Sequence, residues 1–515
     1  MADVYFTTNP AEFTRLEGLY VSERNPPGFI RARDLSVVAM AGKCVRGPLT
    51  PVEITSPARF LEIYGGRDYT ANGTGGARVG EVHAALLNKR FGKVVVRRVA
   101  AAADVAASFD WETAAGGGGT AVLRIAAANV GVWGNDVQFK IADASDAVAN
   151  HFKLTIKYLG REVVYDNLDI TTGNDNLAVT VGTDEGNLVV LTKLASGRPI
   201  NTAAATDGAD SLAFVNLGET VAAFTSVAGT SGAPAVTDYN TGMNEIAQYP
   251  GVSVCLVPEA VPTPATYNGN LVTLAAQVSD RMFLTWSQVH GQSVATEVTN
   301  IGAQITTRSD RIVWAYNSTY TLDPDTGVEF QQGPHVWLAG IMSQTDVDIH
   351  PGAFETLAFN AGIKRLTNMG LQRPDLISLR DAGIASLERI AEGFWFRSGV
   401  TTNLTPGLTE ITRRRMADFL QLSASDRLRS YVKARNTDER RATMAAELTA
   451  FSRQLKADKR VIEDFAIDQV SVNTAAQRAQ GIEKILWRVK TIGHMLHLVF
   501  ETEIGTGVVI DQAAA

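Results

Sequence analysis

The sequence predicts an α/β core that is interrupted by a β-rich insertion and followed by an α+β C-terminal domain. On both sides of residues 106–240, short apolar runs alternate with stripes of apolar residues at helical spacing. Within that range helical periodicity is absent, and turn residues separate short alternating runs. In residues 405–515 the apolar period changes from 3.6 to two. A chain of 515 residues is also too long for one core, since cores stop growing near about 250–300 residues.

Five segments follow from these changes of pattern. We expect a polar lead-in over 1–30, the first part of the core over 31–105, an inserted β-rich surface domain over 106–240, the second part of the core over 241–404, and the C-terminal domain over 405–515. The lead-in contains a short strand at Leu19–Glu23. One strand of this length cannot bury a face alone, so it must join a sheet of its own subunit or of a neighbour.

The first part of the core reads as strand, helix, helix and strand. Val37–Gly42 is a short apolar run that is typical of a buried strand. Ser56 and Pro57 open a helix, because a hydroxyl N-cap precedes a proline that has no amide hydrogen to leave unpaired, and Gly65 ends it. A second helix is expected around Val79–Leu87, and Lys93–Val99 returns as a strand.

The insertion is rich in alanine, glycine and turn residues. Short alternating runs predict strands at Val122–Ile125, Phe152–Tyr158 and Leu188–Leu191. Gly116–Gly119 is interpreted as a flexible hinge. From residue 251 the α/β pattern resumes, and the elements that we expect there are strands at Val252–Val257, Met282–Leu284 and Ile312–Tyr316 and helices at Leu271–Val278 and Val294–Ile305.

The C-terminal domain begins with two helices. Arg413–Arg415 precede the apolar positions of the first. In the second, apolar residues recur at steps of four, three and four, namely Met444, Leu448, Phe451 and Leu455. This stripe leaves other faces for basic side chains, of which we single out Arg440, Arg441, Arg453 and Lys456.

Two runs of strand type follow these helices. In Glu483–Thr491 the alternation places Ile485, Trp487 and Val489 on one face. His494–Phe500 is a further strand, with Leu496, Leu498 and Phe500 as its apolar positions. Positions three apart point to opposite faces of a strand, so His494 and His497 are not expected to share a metal ion.

Composition narrows the class of protein. The formal net charge of −7 argues against a general nucleic-acid coat. No signal peptide is visible at the N-terminus, and no apolar run approaches the ~20 residues that span a bilayer. Two cysteines, Cys44 and Cys255, fit a reducing cytoplasm. We therefore expect a protein that is made in a cytosol and does not insert into a membrane.

Motifs of catalysis are missing from the sequence. No Gly-x-Ser-x-Gly turn accompanies the seven histidines, and the glycine-rich stretch Gly65–Gly76 lacks the Gly-Lys-Ser/Thr of a phosphate loop. We expect no enzyme, no metal site and no cofactor.

The segment from Glu410 to Arg460 is basic in an otherwise acidic chain, with thirteen Lys or Arg against seven Asp or Glu. Three interpretations are open: a solvated helix face, a nucleic-acid surface, or a surface for an acidic protein. Nucleic acid is the weakest, because no aromatic residues interleave with the basic ones along Arg440–Arg460.

The order of motifs resembles that of contractile tail sheath proteins, which form the outer jackets of phage tails and related injection machines. Near the C-terminus these are Arg413-Arg414, Asn436, the long basic helix, Phe465-x-x-Asp468, Asn473-Thr474 and Gly481 before two strands. Near the N-terminus they are Gly18–Glu23, Val45–Pro48, Ile54–Ser56 and Phe60…Gly66, and Gly333-Pro334 to Ile341 is similar to a motif of sheath cores. Glu17, where the family usually has proline, and Gly393–Thr401 depart from the pattern.

The resemblance implies a structural subunit of stacked hexameric rings around an inner tail tube, with baseplate and tail terminator proteins as further partners. It implies terminal strand-exchange arms: residues 1–30 as a linker arm with Leu19, Tyr20 and Val21, and a C-terminal arm with Leu496, Leu498 and Phe500. The arms would add to an acceptor sheet at Ile485, Trp487 and Val489, and Arg440, Arg441, Arg453 and Lys456 would face the tube. Contraction would drive the tube through a target cell envelope for genome delivery. The sequence leaves open a virion tail, assembled in the host cytoplasm, or a phage-derived injection device such as a tailocin.

Overall fold

The computed structural model describes residues 4–6, 19–21, 30–65, 93–114, 118–177, 186–202, 214–219, 224–322, 327 and 329–494. Of residues 4–6 and 19–21 it describes the backbone. The helix expected around Val79–Leu87 and the arm residues Leu496, Leu498 and Phe500 lie outside the described residues. The chain divides into two compact units: a core unit of residues 34–419, and a terminal unit of residues 1–33 with 420–515.

The elements have the following bounds. The strands are β1 (Val4–Phe6), β2 (Leu19–Val21), β3 (Val38–Gly42), β4 (Val52–Ile54), β5 (Val94–Arg98), β6 (Ser108–Glu112), β7 (Ala121–Ala127), β8 (Gln138–Asp143), β9 (Phe152–Tyr158), β10 (Arg161–Leu168), β11 (Val189–Lys193), β12 (Val215–Asn216), β13 (Thr225–Val227), β14 (Val254–Leu256), β15 (Met282–Thr285), β16 (Ile312–Tyr316), β17 (Thr319–Leu322), β18 (Glu329–Gln332), β19 (Ile363–Leu366), β20 (Ile384–Ile390), β21 (Gly393–Phe396), β22 (Ile462–Asp468) and β23 (Leu486–Thr491). The α-helices are α1 (Pro57–Tyr64), α2 (Val236–Gln248), α3 (Pro264–Gln277), α4 (Val294–Gln304), α5 (Pro334–Gln344), α6 (Arg373–Asp381), α7 (Ile411–Leu428), α8 (Asp438–Ala457) and α9 (Ala475–Ala479).

An eight-stranded sheet forms the centre of the core unit, with the order β21-β20-β16-β15-β14-β3-β5-β4. Neighbours from β20 to β5 are parallel, and the edge strands β21 and β4 are antiparallel. Helices α2, α3, α4 and α6 contribute to a hydrophobic cluster on one side, while α1 and α5 contribute to the cluster on the other. Coverage on both faces explains why β3, β5 and β16 are buried throughout rather than at alternate residues.

The residues that were predicted to begin the helix after Ser56 are confirmed in that role. The Ser56 hydroxyl accepts a hydrogen bond from the backbone N–H of Arg59 at 3.2 Å, and Pro57 is the first residue of α1. The motif beginning at Gly333-Pro334 forms α5, which is buried along most of its length. A small sheet, β18-β17-β19, completes the described strands of this part.

The insertion consists of two four-stranded antiparallel sheets, β10-β9-β8-β12 and β11-β7-β6-β13. Their buried side chains form one hydrophobic cluster. Trp111 lies at its centre, stacked on Phe224 at 4.6 Å and edge-on to Phe139 at 5.2 Å between ring centroids.

Two expectations about the insertion are corrected. Of the expected hinge Gly116–Gly119, Gly118 and Gly119 lie in the connection between β6 and β7, within one sheet, so these two residues do not form a hinge to the core. Gly116 and Gly117 lie outside the described residues. The expected end at residue 240 falls inside α2, whose Tyr239 and Met243 are buried in the core cluster. Alternation predicted the strands, but no residue pattern indicated whether α2 packs against the core or against the insertion.

Arginine side chains hold the insertion against the core. Arg98 donates to the carbonyl oxygens of Cys44 at 3.1 Å and Gly47 at 3.3 Å within the core and of Val130 at 2.8 Å in the insertion. The Arg46 guanidinium lies 5.8 Å from the ring centroid of Trp133. The insertion is therefore docked on the core through specific contacts.

The two crossings between core and insertion lie side by side. The backbone N–H of Thr230 donates to Val105 O at 3.0 Å, and the N–H of Val105 donates to the Thr230 hydroxyl at 3.0 Å. Asp104 accepts from the N–H groups of Ala101 at 3.1 Å and Gly232 at 2.6 Å. A short linker can therefore replace everything between residues 105 and 230.

We predict that a chain with a Gly-Ser linker in place of residues 106–229 folds and still assembles, because the clusters that cover the core sheet are separate from that of the insertion. Arg98 keeps two of its carbonyl partners in this variant. Circular dichroism and sedimentation of the variant beside the intact chain measure the outcome. An insoluble product, or a folded one that does not assemble, would contradict the prediction.

Candidate assembly surfaces

The terminal unit contains a sheet of only two described strands, the antiparallel pair β22–β23. In the described residues each strand pairs with the other alone, so one edge of each remains without a strand partner. A two-stranded ribbon is marginal in water unless it packs on something else. Here Leu448, Phe451 and Leu455 of α8 are buried, and the Phe451 ring lies 6.4 Å from that of Trp487.

The predicted acceptor residues lie on or beside this sheet. Trp487 is opposite Ile467, and Val489 is opposite Phe465, so these four side chains share one face. Ile485 precedes the first residue of β23. The alternation read from the sequence is thus confirmed for Trp487 and Val489, while their service as an acceptor site stays a prediction.

Side-chain hydrogen bonds fix the connection between β22 and β23. The Asn473 amide accepts from the N–H of Lys484 at 2.7 Å and donates to the carbonyl oxygens of Gln469 and Lys484 at 2.7 Å each. Thr474 caps α9, accepting from the N–H of Gln477 at 3.2 Å. The Asn-Thr pair of the sequence therefore sets the register of the two strands.

The N-terminal segment is anchored on α7 at Arg33. Its N–H donates to the Ser423 hydroxyl at 3.0 Å, and its guanidinium pairs with Asp426 at 2.6 Å. Strand β2, which holds Leu19, Tyr20 and Val21, pairs in parallel with β1. A fully extended chain from Leu19 to Arg33 would span about 50 Å at ~3.5 Å per residue. For comparison, a globular protein of 515 residues has a radius of gyration of about 24 Å.

The four predicted tube-facing residues have different surroundings. Arg441 is paired with Asp438, donates to Asn436 Oδ1 at 2.7 Å, and its side chain is only 16% exposed. It precedes Leu448 by two helical turns, so the expectation that it lies off the buried stripe is wrong. Lys456 pairs with Asp464 of β22 at 2.8 Å.

Arg440 and Arg453 are exposed, and neither side chain has an ion pair with the residues that the structure describes. Their contact with a tube stays a prediction.

Several arginines of the basic segment have partners inside the fold, which the sequence did not reveal. Arg414 pairs with Asp418 at 2.6 Å, and the buried Asp418 also accepts from Arg311 at 2.9 Å. Arg415 donates to the carbonyl oxygens of Met342 at 2.6 Å and Thr345 at 2.9 Å, and burial lowers its pKa to about 10. These contacts anchor the first turns of α7 within the core unit.

A second buried carboxylate organises the terminal unit. Glu447 of α8 accepts from Arg427 at 2.8 Å and from the Tyr431 hydroxyl at 2.9 Å. Its side chain is 1% exposed, so removal of either donor would leave a buried charge with fewer partners. The end of α7 and the 3-10 turn Arg429–Tyr431 are thereby fixed on α8.

The fold is a mixed α/β fold with several sheets, and it is the fold of tail sheath proteins. No protein-family model matches the sequence, and no curated protein matches it. Solved structures do. The sheath tail protein of Listeria innocua is similar with a TM-score of 0.58 at 12% identity, over 90% of this chain and 96% of that one.

Two further structures extend this likeness. The sheath tail protein of Desulfitobacterium hafniense has a TM-score of 0.56 at 12% identity, over 92% of this chain and 100% of that one. The helical sheath of the anti-feeding prophage in its contracted state has a TM-score of 0.53 at 11% identity, over 95% of this chain and 99% of that one. The similar structures thus include sheaths of tails and of a phage-derived injection system.

Two buried titratable side chains of the core unit, Glu297 and His335, have shifted pKa values. Glu297 accepts from the Trp314 indole at 2.7 Å, and burial raises its pKa to about 7. The His335 ring nitrogen Nε2 donates to Val257 O at 2.8 Å, and burial lowers its pKa to about 4. The cavity beside Glu297 has a volume of about 10 Å³, room for one water molecule. Perturbed pKa values here follow from packing in the core.

The described part of the chain contains no cluster of three or more His, Cys, Asp or Glu side chains that could hold a metal ion. None of its helices combines the length and the apolar character that crossing a membrane requires.

We predict opposite pH dependences for Glu297 and His335. Because its folded pKa is raised from 4.5 to about 7, Glu297 makes the protein less stable as pH rises from 4.5 to 7. Glu297→Gln removes this loss, so its stability relative to the wild type should be about 3 kcal/mol higher at pH 8 than at pH 5. Urea unfolding at the two pH values measures the difference.

His335→Gln serves as the matched control. The lowered folded pKa of His335 makes the protein less stable as pH falls from 6.5 to about 4. Its variant should therefore gain relative stability at the acid end. An equal difference from wild type at both pH values for Glu297→Gln would contradict the prediction.

Proposed function

We propose that this chain is the structural subunit of a contractile tail sheath. The observation that carries the proposal is the shared fold with solved sheath proteins over about nine-tenths of the chain and nearly all of theirs. Copies stack as hexameric rings in a helical polymer around an inner tail tube, between baseplate and tail terminator proteins. Contraction drives the tube through the envelope of the target cell. This role involves no catalysis and no nucleotide.

The polymer is held by exchanged strands. The N-terminal arm with Leu19, Tyr20 and Val21 and the C-terminal arm with Leu496, Leu498 and Phe500 add to the β22–β23 sheet of other copies. Two observations support this: the sheet has a free edge on each side in the described residues, and the anchor at Arg33 leaves enough chain to reach a neighbour. Each backbone hydrogen bond contributes only ~0.5–1.5 kcal/mol net, so stability comes from many copies joined together.

Contraction is a shift from an extended state that is bound to the tube to a more compact state of lower free energy. The core moves as a rigid body, which its doubly covered sheet and docked insertion favour. The segments before Arg33 and after residue 491 act as hinges, so the strand connections persist while subunits rotate. The free energy is stored when the sheath assembles.

The tube contact is electrostatic in this proposal. Arg440 and Arg453 face the tube, since their side chains are exposed and lack ion pairs in the described residues. Arg441 and Lys456 already pair with carboxylates of their own subunit, so they contribute less than the sequence suggested.

A virion tail and a phage-derived injection device remain two versions of this function. The similarity to the sheath of the anti-feeding prophage supports retaining the injection device as an alternative. In the first, the particle carries a capsid and delivers a genome after assembly in the host cytoplasm. An electron micrograph of the source particle decides between them by the presence of a capsid.

We predict that a chain lacking residues 1–26 remains folded and monomeric but does not polymerise, whereas the intact chain forms tubes at high concentration. The donated strand is lost, but Arg33 keeps its contacts with α7. Sedimentation and electron microscopy of both proteins side by side measure the difference.

A chain that lacks only residues 1–17 is the control, because it retains Leu19–Val21 and should polymerise. Tubes from the chain lacking residues 1–26 would refute the donated strand. A chain lacking residues 1–26 that does not fold would show that the segment serves its own subunit.

A further inference from the structure

The parts of the core before and after the insertion meet at one place in the central sheet. Strand β3 lies between β5 and β14. The chain leads from β3 to β5 on one side, and after the insertion it returns to β14 on the other side and continues outward through β15 and β16. The strand order therefore reverses between β3 and β14, which are parallel. In open parallel sheets, ligands bind outside the carboxyl ends of the strands at such a reversal.

A carboxylate of the chain itself lies in this crevice. Glu259 follows the last residue of β14 by three positions. The backbone N–H of Lys43, the residue after β3, donates to both of its oxygens, at 3.0 Å to Oε1 and 3.2 Å to Oε2. The Tyr239 hydroxyl donates to Oε1 at 2.7 Å. Glu259 is thereby joined to β3, which precedes the insertion, and to α2, which follows it.

The crevice is filled beside this carboxylate. Glu259 is 8% exposed. A Cβ atom added at Gly42, the last residue of β3, would lie 3.4 Å from Pro258 Cγ and 3.6 Å from Glu259 Oε2. Both distances are van der Waals contacts, so the segment after β14 already occupies the space next to Gly42. A ligand from solution would have to displace the Glu259 side chain to reach the N–H of Lys43.

The surroundings of Glu259 compensate a negative charge. Burial raises the pKa of its carboxyl, while the charge of Lys43 and the hydrogen bonds from Tyr239 and from the Lys43 N–H lower it. A buried carboxylate costs free energy unless hydrogen-bond donors replace the water that it loses. The same donors and the same charge would act on a small carboxylate from solution in this position.

The need to fill space does not explain an acid at this position. An apolar side chain of similar size would fill the crevice without burying a charge, and apolar packing is often at least as stabilising as a buried polar contact. What distinguishes Glu259 from such a side chain is the pair of oxygens that bind Lys43 and Tyr239.

We propose that Glu259 is an internal ligand of the core: its carboxylate occupies an anion-binding site at the carboxyl ends of β3 and β14 and closes the crevice to small anions from solution. The same contact connects the parts of the core on either side of the insertion. When the side chain is removed, the site accepts a small carboxylate such as acetate in its place. This inference does not depend on the proposed sheath function.

The test removes the side chain from the full chain and supplies acetate. Glu259→Gly should be less stable than wild type and should regain stability as acetate is added at pH 7, because a ligand that binds only the folded state stabilises it. At an acetate concentration ten times its Kd, the ratio of folded to unfolded variant should be about elevenfold higher than without acetate. Urea unfolding measures this ratio, and NMR of ¹³C-labelled acetate with the folded variant measures the Kd independently. Sodium chloride at equal ionic strength controls for screening.

Wild type and Glu259→Gln are the matched controls, because a side chain of the same length fills the crevice in both. Neither should bind acetate, and acetate and chloride should change their stability equally. Adding Tyr239→Phe to Glu259→Gly removes one donor and should weaken acetate binding about two- to tenfold.

Three outcomes would overturn the proposal. Equal effects of acetate and chloride on Glu259→Gly would show that the side chain only fills space. Binding of acetate to the wild type as tight as to Glu259→Gly would place the acetate outside the crevice. If Glu259→Gly is unfolded in buffer, its refolding yield should be higher in acetate than in chloride, and equal yields would overturn the proposal.

Discussion

A strand pair has two outer edges, and each edge presents backbone N–H and C=O groups that need hydrogen-bond partners. This constraint applies to β22 and β23, which pair only with each other in the described residues. Helix α8 covers one face through Phe451 and Trp487, but a helix on a face cannot satisfy the groups at an edge. Further strands can satisfy the groups at both edges of this sheet, and in the proposed polymer those strands come from other copies and connect the subunits.

The core unit differs from the β22–β23 pair, because its parallel sheet is covered on both faces. Buried charges also connect helix to sheet, and both carboxylate oxygens of Asp418 accept hydrogen bonds from arginine side chains. Arg98 extends the same kind of contact to the insertion. Breaking such a buried pair costs several kcal/mol because a charge is left without a partner. The core therefore has few ways to deform, and in the proposed assembly the change of shape would fall on the segments that connect subunits.

The elements that could be predicted from the sequence are those that short-range chemistry specifies. Phe152–Tyr158 and Ile312–Tyr316 have the predicted bounds, and Ser56 caps α1 as expected. What could not be predicted depends on partners distant in the sequence. Arg415 looks like any surface cation until Met342 is placed beside it, 73 residues away.

The same reason explains the errors at Arg441 and at the end of the insertion. A helical stripe shows which residues share a side, but not where along the helix packing stops. Arg441 belongs to the stripe of Leu448, and its charge is accommodated by Asp438 at the helix start. Likewise α2 is amphipathic whichever layer it joins, and only the fold shows that Tyr239 and Met243 pack on the core sheet.

Arginines that are paired inside the fold and cations that are exposed at the surface make contacts of different strength, and these contacts suit different roles. Arg414, Arg415 and Arg427 are held by buried or partly buried partners, whereas other cations of the basic segment, among them Arg440 and Arg453, are exposed. Exposed ion pairs contribute about 0–1 kcal/mol each and are screened within ~8–10 Å in salt. A contact made of them holds only while surfaces stay close and separates readily once a subunit moves outward. In the proposed sheath, strand addition keeps its hydrogen bonds while the arm moves, so it persists through the same movement. The proposed function needs both kinds of contact in one chain, and the terminal unit contains both exposed cations and a strand pair with unpaired edges in the described residues.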